Sequence, residues 1–307
     1  METVELGRTG LTLAPLGVGA MSWGTRSPLA YGGTKNPQAE AEALDEMLQA
    51  GVNLVDTAEM YRNERRVGEL VSGRQEVVLA TKYAPWPYRR RSSVLMALDR
   101  SLERLGRDHV ELYQVHMAPR TISIPTLLRE LAIAHRDGRV RAVGVSNFDA
   151  RQTRQAHAAL AEEGIPLASN QMQYSLLHRQ PETDGVLDAC RELGVTLIAY
   201  MPLASGALTG SYHRGNRPGG LRRFMPSFRA GTLDAIKPVI GLLTEIGRAH
   251  DAVPSSVALR WLIQQGTVPI PGAKNARQAR ANGAALSIEL DDAEVSALSV
   301  ATERWRH

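Results

Sequence analysis

Cysteine is almost absent: Cys190 is the only one in 307 residues. No disulfide can close within the chain, which suits a reducing compartment. Cys190 sits in VLDACRELG, where helical spacing sets it beside Leu187 and Leu193, so it reads as a small buried hydrophobe and not as a nucleophile. Lysine is nearly as scarce. Lys35, Lys82, Lys237 and Lys274 stand in a chain that otherwise uses arginine for positive charge, with a net charge of +4. Aromatic residues make up only 5%, and no basic block is interleaved with them, so nucleic acid is not an expected partner. Arg89-Arg90-Arg91 and Arg222-Arg223 are short and suit loops or phosphate contacts. No apolar run approaches the roughly 20 residues of a membrane span. The opening Met1-Glu2-Thr3 has no basic stretch ahead of an apolar one, so no signal peptide is read and a cytoplasmic location is expected. Neither a Pro/Ser-rich linker nor a repeat divides the chain, so residues 1–307 read as one domain. No metal site is expected.

What is present is an alternation. Hydrophobic content of 43% supports a sizeable core. The start, VELGRTGLTLAPLGVGA, alternates around a Gly-Arg-Thr-Gly turn and reads as a small hairpin. After it, strand-like runs at 16–19, 53–56, 77–82, 109–116, 140–146, 168–171, 196–200 and 268–270 are separated by amphipathic runs at 39–50, 93–105, 124–137, 150–162 and 185–193. Gly51, Gly106, Gly138, Gly164 and Gly194 follow these five runs, where helix C-caps belong. Strands alternating with helices predict a parallel sheet with helices outside. Eight such units make an α/β fold of the (β/α)8 TIM-barrel type, with an N-terminal β-hairpin ahead of it. A doubly wound sheet is the competitor, but no GxGxxG follows the first strand. A long Gly/Arg-rich loop, 203–231, follows the seventh barrel strand and has the character of a lid or binding loop.

Three of the apolar runs, VNLVDTAEMY, EVVLATKY and VELYQVH, end in residues that do not suit a core. Asp56, Lys82 and His116 stand at strand ends, and Tyr61 follows Asp56 in the next loop. The carboxyl face of a β/α barrel is where groups from several strand ends converge for catalysis. Singly, a histidine or tyrosine in such a place is most often structural; the four together weaken that account. Lys82 stands among residues expected to be buried, and a buried ammonium needs a partner, which Asp56 on the neighbouring strand can provide. A cation within about 4–6 Å would draw a phenol down from its ordinary pKa of about 10, as a general acid at working pH requires. His116 can add a hydrogen bond from the other side.

These segments, with VRAVGVSNF, SNQMQYS, IAYMPLASGALTG and PIPGAKNARQARAN, resemble the aldo-keto reductases, in order and over nearly the whole chain. The resemblance implies a (β/α)8 barrel, NADPH as cofactor, and reduction of a small-molecule aldehyde or ketone. It makes Tyr61 the general acid, with Lys82 and Asp56 tuning it and His116 orienting the carbonyl. It assigns Ser146, Asn147 and Gln171 to the nicotinamide amide and Tyr200 to the ring face. Gly19, Ala20 and Met21 match the turn beside the nicotinamide ribose, and Met201 and Leu203 fall on further cofactor positions. Small amides and hydroxyls suit a carboxamide, which needs both donors and acceptors.

In PIPGAKNARQARAN, Gly272 lets the backbone approach a ligand, and a helix N-terminus favours an anion. Lys274 and Arg277 add positive charge, which favours a 2′-phosphate and so NADP over NAD. Gln278 and Asn282 match family positions near the adenosine. Three residues depart from the family pattern: Arg62 where glycine is usual, Met201 where serine is usual, and Ala281 where glutamate often stands. Trp23, Tyr83, Trp86 and Tyr88, in early βα loops, are expected to line an aromatic substrate pocket. Two other classes remain. One is a Schiff-base enzyme, aldolase-like, built on Lys82. The other is a cofactor-sensing regulatory subunit, like the potassium-channel β subunits. The first leaves the PIPGAK segment unexplained, and the intact His116 argues against the second.

Overall fold

A computed structural model describes residues 2–24, 36–85 and 93–307. The first elements are two short antiparallel strands, β1 (Val4–Glu5) and β2 (Thr12–Leu13), with Val4 opposite Leu13. Eight parallel strands follow: β3 (Gly17–Gly19), β4 (Leu54–Asp56), β5 (Val78–Tyr83), β6 (Val110–Val115), β7 (Val140–Ser146), β8 (Leu167–Gln173), β9 (Thr196–Tyr200) and β10 (Val268–Pro269). Each pairs with the next in chain order. The circle closes where the Gly19 N–H donates to the Pro271 carbonyl at 3.0 Å. A Cβ on Gly19 would lie 2.9 Å from the Ile270 carbonyl oxygen, so the closure has no room for a side chain. The expected (β/α)8 barrel and its leading hairpin are the observed fold.

Helices pack outside. α1 (Pro37–Gln49), α2 (Glu64–Val71), α3 (Ser93–Leu105), α4 (Ile124–Arg136), α5 (Ala150–Ala161) and α6 (Val186–Leu193) alternate with the strands. α7 (Ala230–Ala249) and α8 (Pro254–Gln264) precede β10, and α9 (Ala276–Gly283) and α10 (Asp292–Ala301) follow it. All five expected C-cap glycines have left-handed backbones, with φ from +64° to +82°. Among the described residues, no helix is long and apolar enough to cross a membrane.

Strand alternation sets the site. On β4, Leu54 points inward and Val55 outward to the helices; on β6, Leu112 points inward, and Tyr113 and Val115 outward. Continuing the inward rows toward the carboxyl ends gives Asp56, Lys82 and Gln114. The barrel interior is thus apolar at its floor and polar at its mouth. The hairpin plugs the floor: Leu6 and Leu13 are fully buried against Leu54, Leu112 and Ile198, and the Gly7 N–H donates to Thr196 Oγ1 at 2.7 Å.

The stretch 203–231 is more ordered than a bare loop. It holds 3-10 turns at Ala204–Thr209, Gly220–Phe224 and Pro226–Phe228. Arg222 ties them together: its guanidinium lies 5.2 Å from the ring centres of Tyr212 and Phe228 and donates to the Ser205 carbonyl.

Candidate active site

Lys82 and Asp56 meet as a buried pair, with Nζ 2.5 Å from Oδ1. The lysine is wholly buried and the aspartate 3% exposed. Nζ also donates to the Thr57 carbonyl at 2.9 Å. Burial alone pushes the ammonium pKa down, but its contacts with Asp56 and Tyr61, the Asp56 charge first, outweigh it, and the pKa is raised. Lys82 therefore stays a cation.

Tyr61 ends a 3-10 turn, Glu59–Tyr61, beyond β4. Lys82 Nζ lies 5.1 Å from the centre of its ring, and the His116 ring meets it edge-on at 5.8 Å. Two clamps hold this loop. The Ala84 N–H donates to Glu59 Oε1 at 2.7 Å, tying it to the end of β5. Buried Asn63 accepts from Thr57 Oγ1 at 2.8 Å and donates to the Ala20 and Trp23 carbonyls, tying it to the turn after β3. Neither clamp was foreseen; polar residues inside the DTAEMYRNE segment were their only sign.

One expectation about Tyr61 is reversed. Burial raises its pKa more than Lys82 lowers it, and Asp56 raises it further, so the phenol ends above 10. It is a firmly protonated acid. His116 is pushed the other way, to about 3, by burial and then by the Lys82 charge, so the imidazole is neutral across the physiological range. Its Nδ1 is buried without a hydrogen-bond partner among the described residues.

The residues expected at the nicotinamide amide lie together. Ser146 Oγ donates to the Gln171 carbonyl at 2.8 Å, Asn147 Nδ2 donates to Ser146 Oγ at 3.0 Å, and Tyr200 Oη donates to Asn147 Oδ1 at 2.9 Å. Asn147 and Met201 both have left-handed backbones, φ +56° and +52°. The Gln171 side chain turns away from this chain of bonds: its Nε2 donates to Asp56 Oδ2 at 2.9 Å. A carboxylate only accepts, so the amide nitrogen must face it. Gln171 thereby joins the expected carboxamide site to the Lys82–Asp56 pair.

The segment after β10 forms the expected turn and helix. Asn275 caps α9 by accepting from the Gln278 N–H, Gln278 Oε1 accepts from the Lys274 N–H at 2.9 Å, and Asn282 Nδ2 donates to the Gly272 carbonyl at 3.3 Å. Burial, and then the nearby Arg222 charge, pull the Lys274 pKa down. The loop after β9 thus brings a second cation toward Lys274. Arg277 is exposed, as is Gly272. Ser22 Oγ, buried with no partner among the described residues, lies 3.9 Å from where a Cβ on Gly272 would stand. An orphaned hydroxyl, an open glycine and two converging cations fit a dinucleotide lying across the mouth.

Two expected pocket residues are placed elsewhere. Trp23 has no exposed surface; it packs in the layer between sheet and helices and its indole N–H donates to the Ala273 carbonyl at 2.6 Å. Tyr83 follows Lys82 on β5 and so faces the opposite side, into the same outer layer, with 3% exposed. Both are core residues that brace the rim of the site. Trp86 and Tyr88, with Arg89, Arg90 and Arg91, lie outside the described residues. Arg62, the residue that replaces the usual glycine, keeps a left-handed backbone at φ +58°, which disfavours a side chain by about 1–2 kcal/mol.

A parallel barrel with a phenol, a buried ion pair and a neutral imidazole at its carboxyl mouth marks out an oxidoreductase of carbonyl groups. The model of the Aldo/keto reductase family matches residues 15–303, and the chain belongs to that family. It acts on small-molecule carbonyl substrates and uses NADP(H). The chain is 35% identical to the chloroplastic pyridoxal reductase of Arabidopsis thaliana, over 95% of this chain and 84% of that one. It is 30% identical to the aldo-keto reductase yakc [NADP(+)] of Schizosaccharomyces pombe, over 93% and 89%. Among solved structures, a thermostable aldo-keto reductase in complex with the inhibitor epalrestat superposes with a TM-score of 0.77 at 29% identity, covering 98% of this chain and all of that one.

Proposed function

We propose that this chain reduces an aldehyde or ketone to an alcohol with NADPH, and that Tyr61 is the general acid. The observation that carries this reading is the Tyr61 phenol, held protonated by burial while it stands against a buried ammonium and a neutral imidazole. When bound, the reduced nicotinamide supplies a hydride to the carbonyl carbon. Tyr61 gives its proton to the carbonyl oxygen, and Lys82 stabilises the phenolate left behind, which regains a proton from solvent. His116, neutral, offers a ring N–H to the same oxygen and orients it. Asp56 keeps Lys82 charged and in place. Ser146, Asn147 and Gln171 would hold the carboxamide, with Tyr200 against the ring, Gly19, Ala20 and Met21 at the ribose, and Met201 and Leu203 nearer the pyrophosphate. Gly272, Lys274 and Arg277 would hold the 2′-phosphate, with Gln278 and Asn282 toward the adenosine.

A Schiff base at Lys82 is disfavoured by the same geometry. A nucleophilic lysine needs a lowered pKa, and here it is raised and two acceptors occupy Nζ.

The test is a panel of carbonyl compounds, pyridoxal among them, followed by loss of NADPH absorbance, with cofactor affinities from tryptophan fluorescence. Turnover is expected for at least one aldehyde or ketone. NADPH should bind at least about tenfold tighter than NADH, and Lys274→Ala should remove most of that preference, since charge-assisted bonds to a phosphate contribute about 1.5–3 kcal/mol each. Tight NADPH binding with no turnover on any carbonyl would instead make the chain a cofactor sensor.

A further inference from the structure

The barrel interior beside the Lys82–Asp56 pair holds a polar cluster that the proposed mechanism does not use. Gln114 lies on β6, two residues before His116 and paired in register with Lys82 on β5. It faces inward and is wholly buried. Its Nε2 lies 3.3 Å from Asp56 Oδ2, and its Oε1 lies 3.4 Å from Ser169 Oγ, itself wholly buried. Gly144, the register partner of Gln114 on β7, leaves the room: a Cβ there would be 2.3 Å from Ser169 Oγ and 3.0 Å from Gln114 Cγ. The rows below are apolar, with Leu54, Leu112, Ala142 and Ile198. An amide in such a place is costly unless its hydrogen bonds are met.

We infer that Gln114 is a positioning residue: seated on Ser169 in space left by Gly144, it holds Asp56 Oδ2 from β6 while Gln171 holds the same oxygen from β8. The carboxylate is then fixed with Oδ1 toward Lys82, and Lys82 toward Tyr61. The effect on turnover rests on Tyr61 being the acid. Without the Gln114 amide, Oδ2 keeps one protein donor and the carboxylate gains room to turn away from Lys82. The ammonium is then less neutralised and acts more strongly on the phenol.

Gln114→Met keeps the side-chain length and removes both amide groups. The readout is NMR of protein labelled with 13C at the tyrosine ζ carbon, with the Tyr61 signal assigned by its loss in Tyr61→Phe. Titrated upward from neutral pH, the Tyr61 signal should move downfield to the phenolate position with a lower midpoint than in wild type, while the other tyrosines keep theirs. On an active substrate kcat should fall about tenfold, less than the roughly 10²-fold attached to a full 1 Å misplacement, with KM and NADPH affinity unchanged. If Gln114→Met does not fold, Ser169→Ala loosens the same amide and should lower the Tyr61 midpoint by less. A Tyr61 midpoint that stays put overturns the inference whatever the turnover. If the wild-type protein turns over no carbonyl yet the midpoint moves in the variant, the positioning role stands and the reductase reading falls.

Discussion

Asp56 makes three contacts with one carboxylate: Lys82 on Oδ1, and Gln171 and Gln114 on Oδ2. Asp56→Ala would strand a wholly buried ammonium, and the expected loss is about 3–5 kcal/mol of folding stability, measured by urea denaturation. A variant that unfolds like wild type would show that the pair contributes nothing. His116 gives a pH prediction. Its pKa falls from the ordinary 6.5 to about 3 on folding, so between these values the unfolded chain binds more protons than the folded one. Stability should therefore fall as pH falls through this window, and replacing His116 with Gln should flatten that slope. The log of kcat should show no inflection near pH 6.5; one that vanished in the histidine variant would contradict the burial of the ring. Lys82 was legible in the sequence because lysine is rare and this one stands in an apolar run. Gln114, equally internal, carried no such mark, because an uncharged amide in a strand is common and its meaning lies in the Gly144 and Ser169 side chains of other strands. The fall of Tyr61 toward working pH was a wrong expectation, because burial is a property of the folded loop and not of the spacing.

At the scale of elements, α2 shows what periodicity misses. It is only eight residues long, and Gly68 at its centre reads as a breaker. The structure uses that glycine for contact: a Cβ there would lie 2.2 Å from the Leu105 carbonyl oxygen at the end of α3. Alanine for glycine inside a helix ordinarily stabilises by about 0.5–1 kcal/mol. Here the sign should reverse, with Gly68→Ala losing about 1–3 kcal/mol through overpacking. A rise in melting temperature would show that the two helices have slack. α10 was legible but unread, since Asp291 and Glu294 form a capping box. α7 was hidden by Pro238 within it. Trp23 and Tyr83 illustrate the other error: loop position was taken for pocket lining, when their direction was set by core packing and by strand alternation.

At the scale of the whole molecule, the barrel was legible because its strands end in the wrong residues for a core. Inward positions run from leucine at the floor to aspartate, lysine and glutamine at the mouth, and the hairpin seals the floor with Leu6 and Leu13. That gradient places the apolar core under the polar residues of the site. The central claim is that this mouth delivers a proton from Tyr61 to a carbonyl oxygen. The direct measurement is kcat for the best carbonyl substrate at saturating NADPH, compared between wild type and Tyr61→Phe. Loss of a positioned general acid predicts a fall of at least about 10²-fold with NADPH affinity unchanged. A phenylalanine variant that turns over at a rate close to wild type would contradict the account.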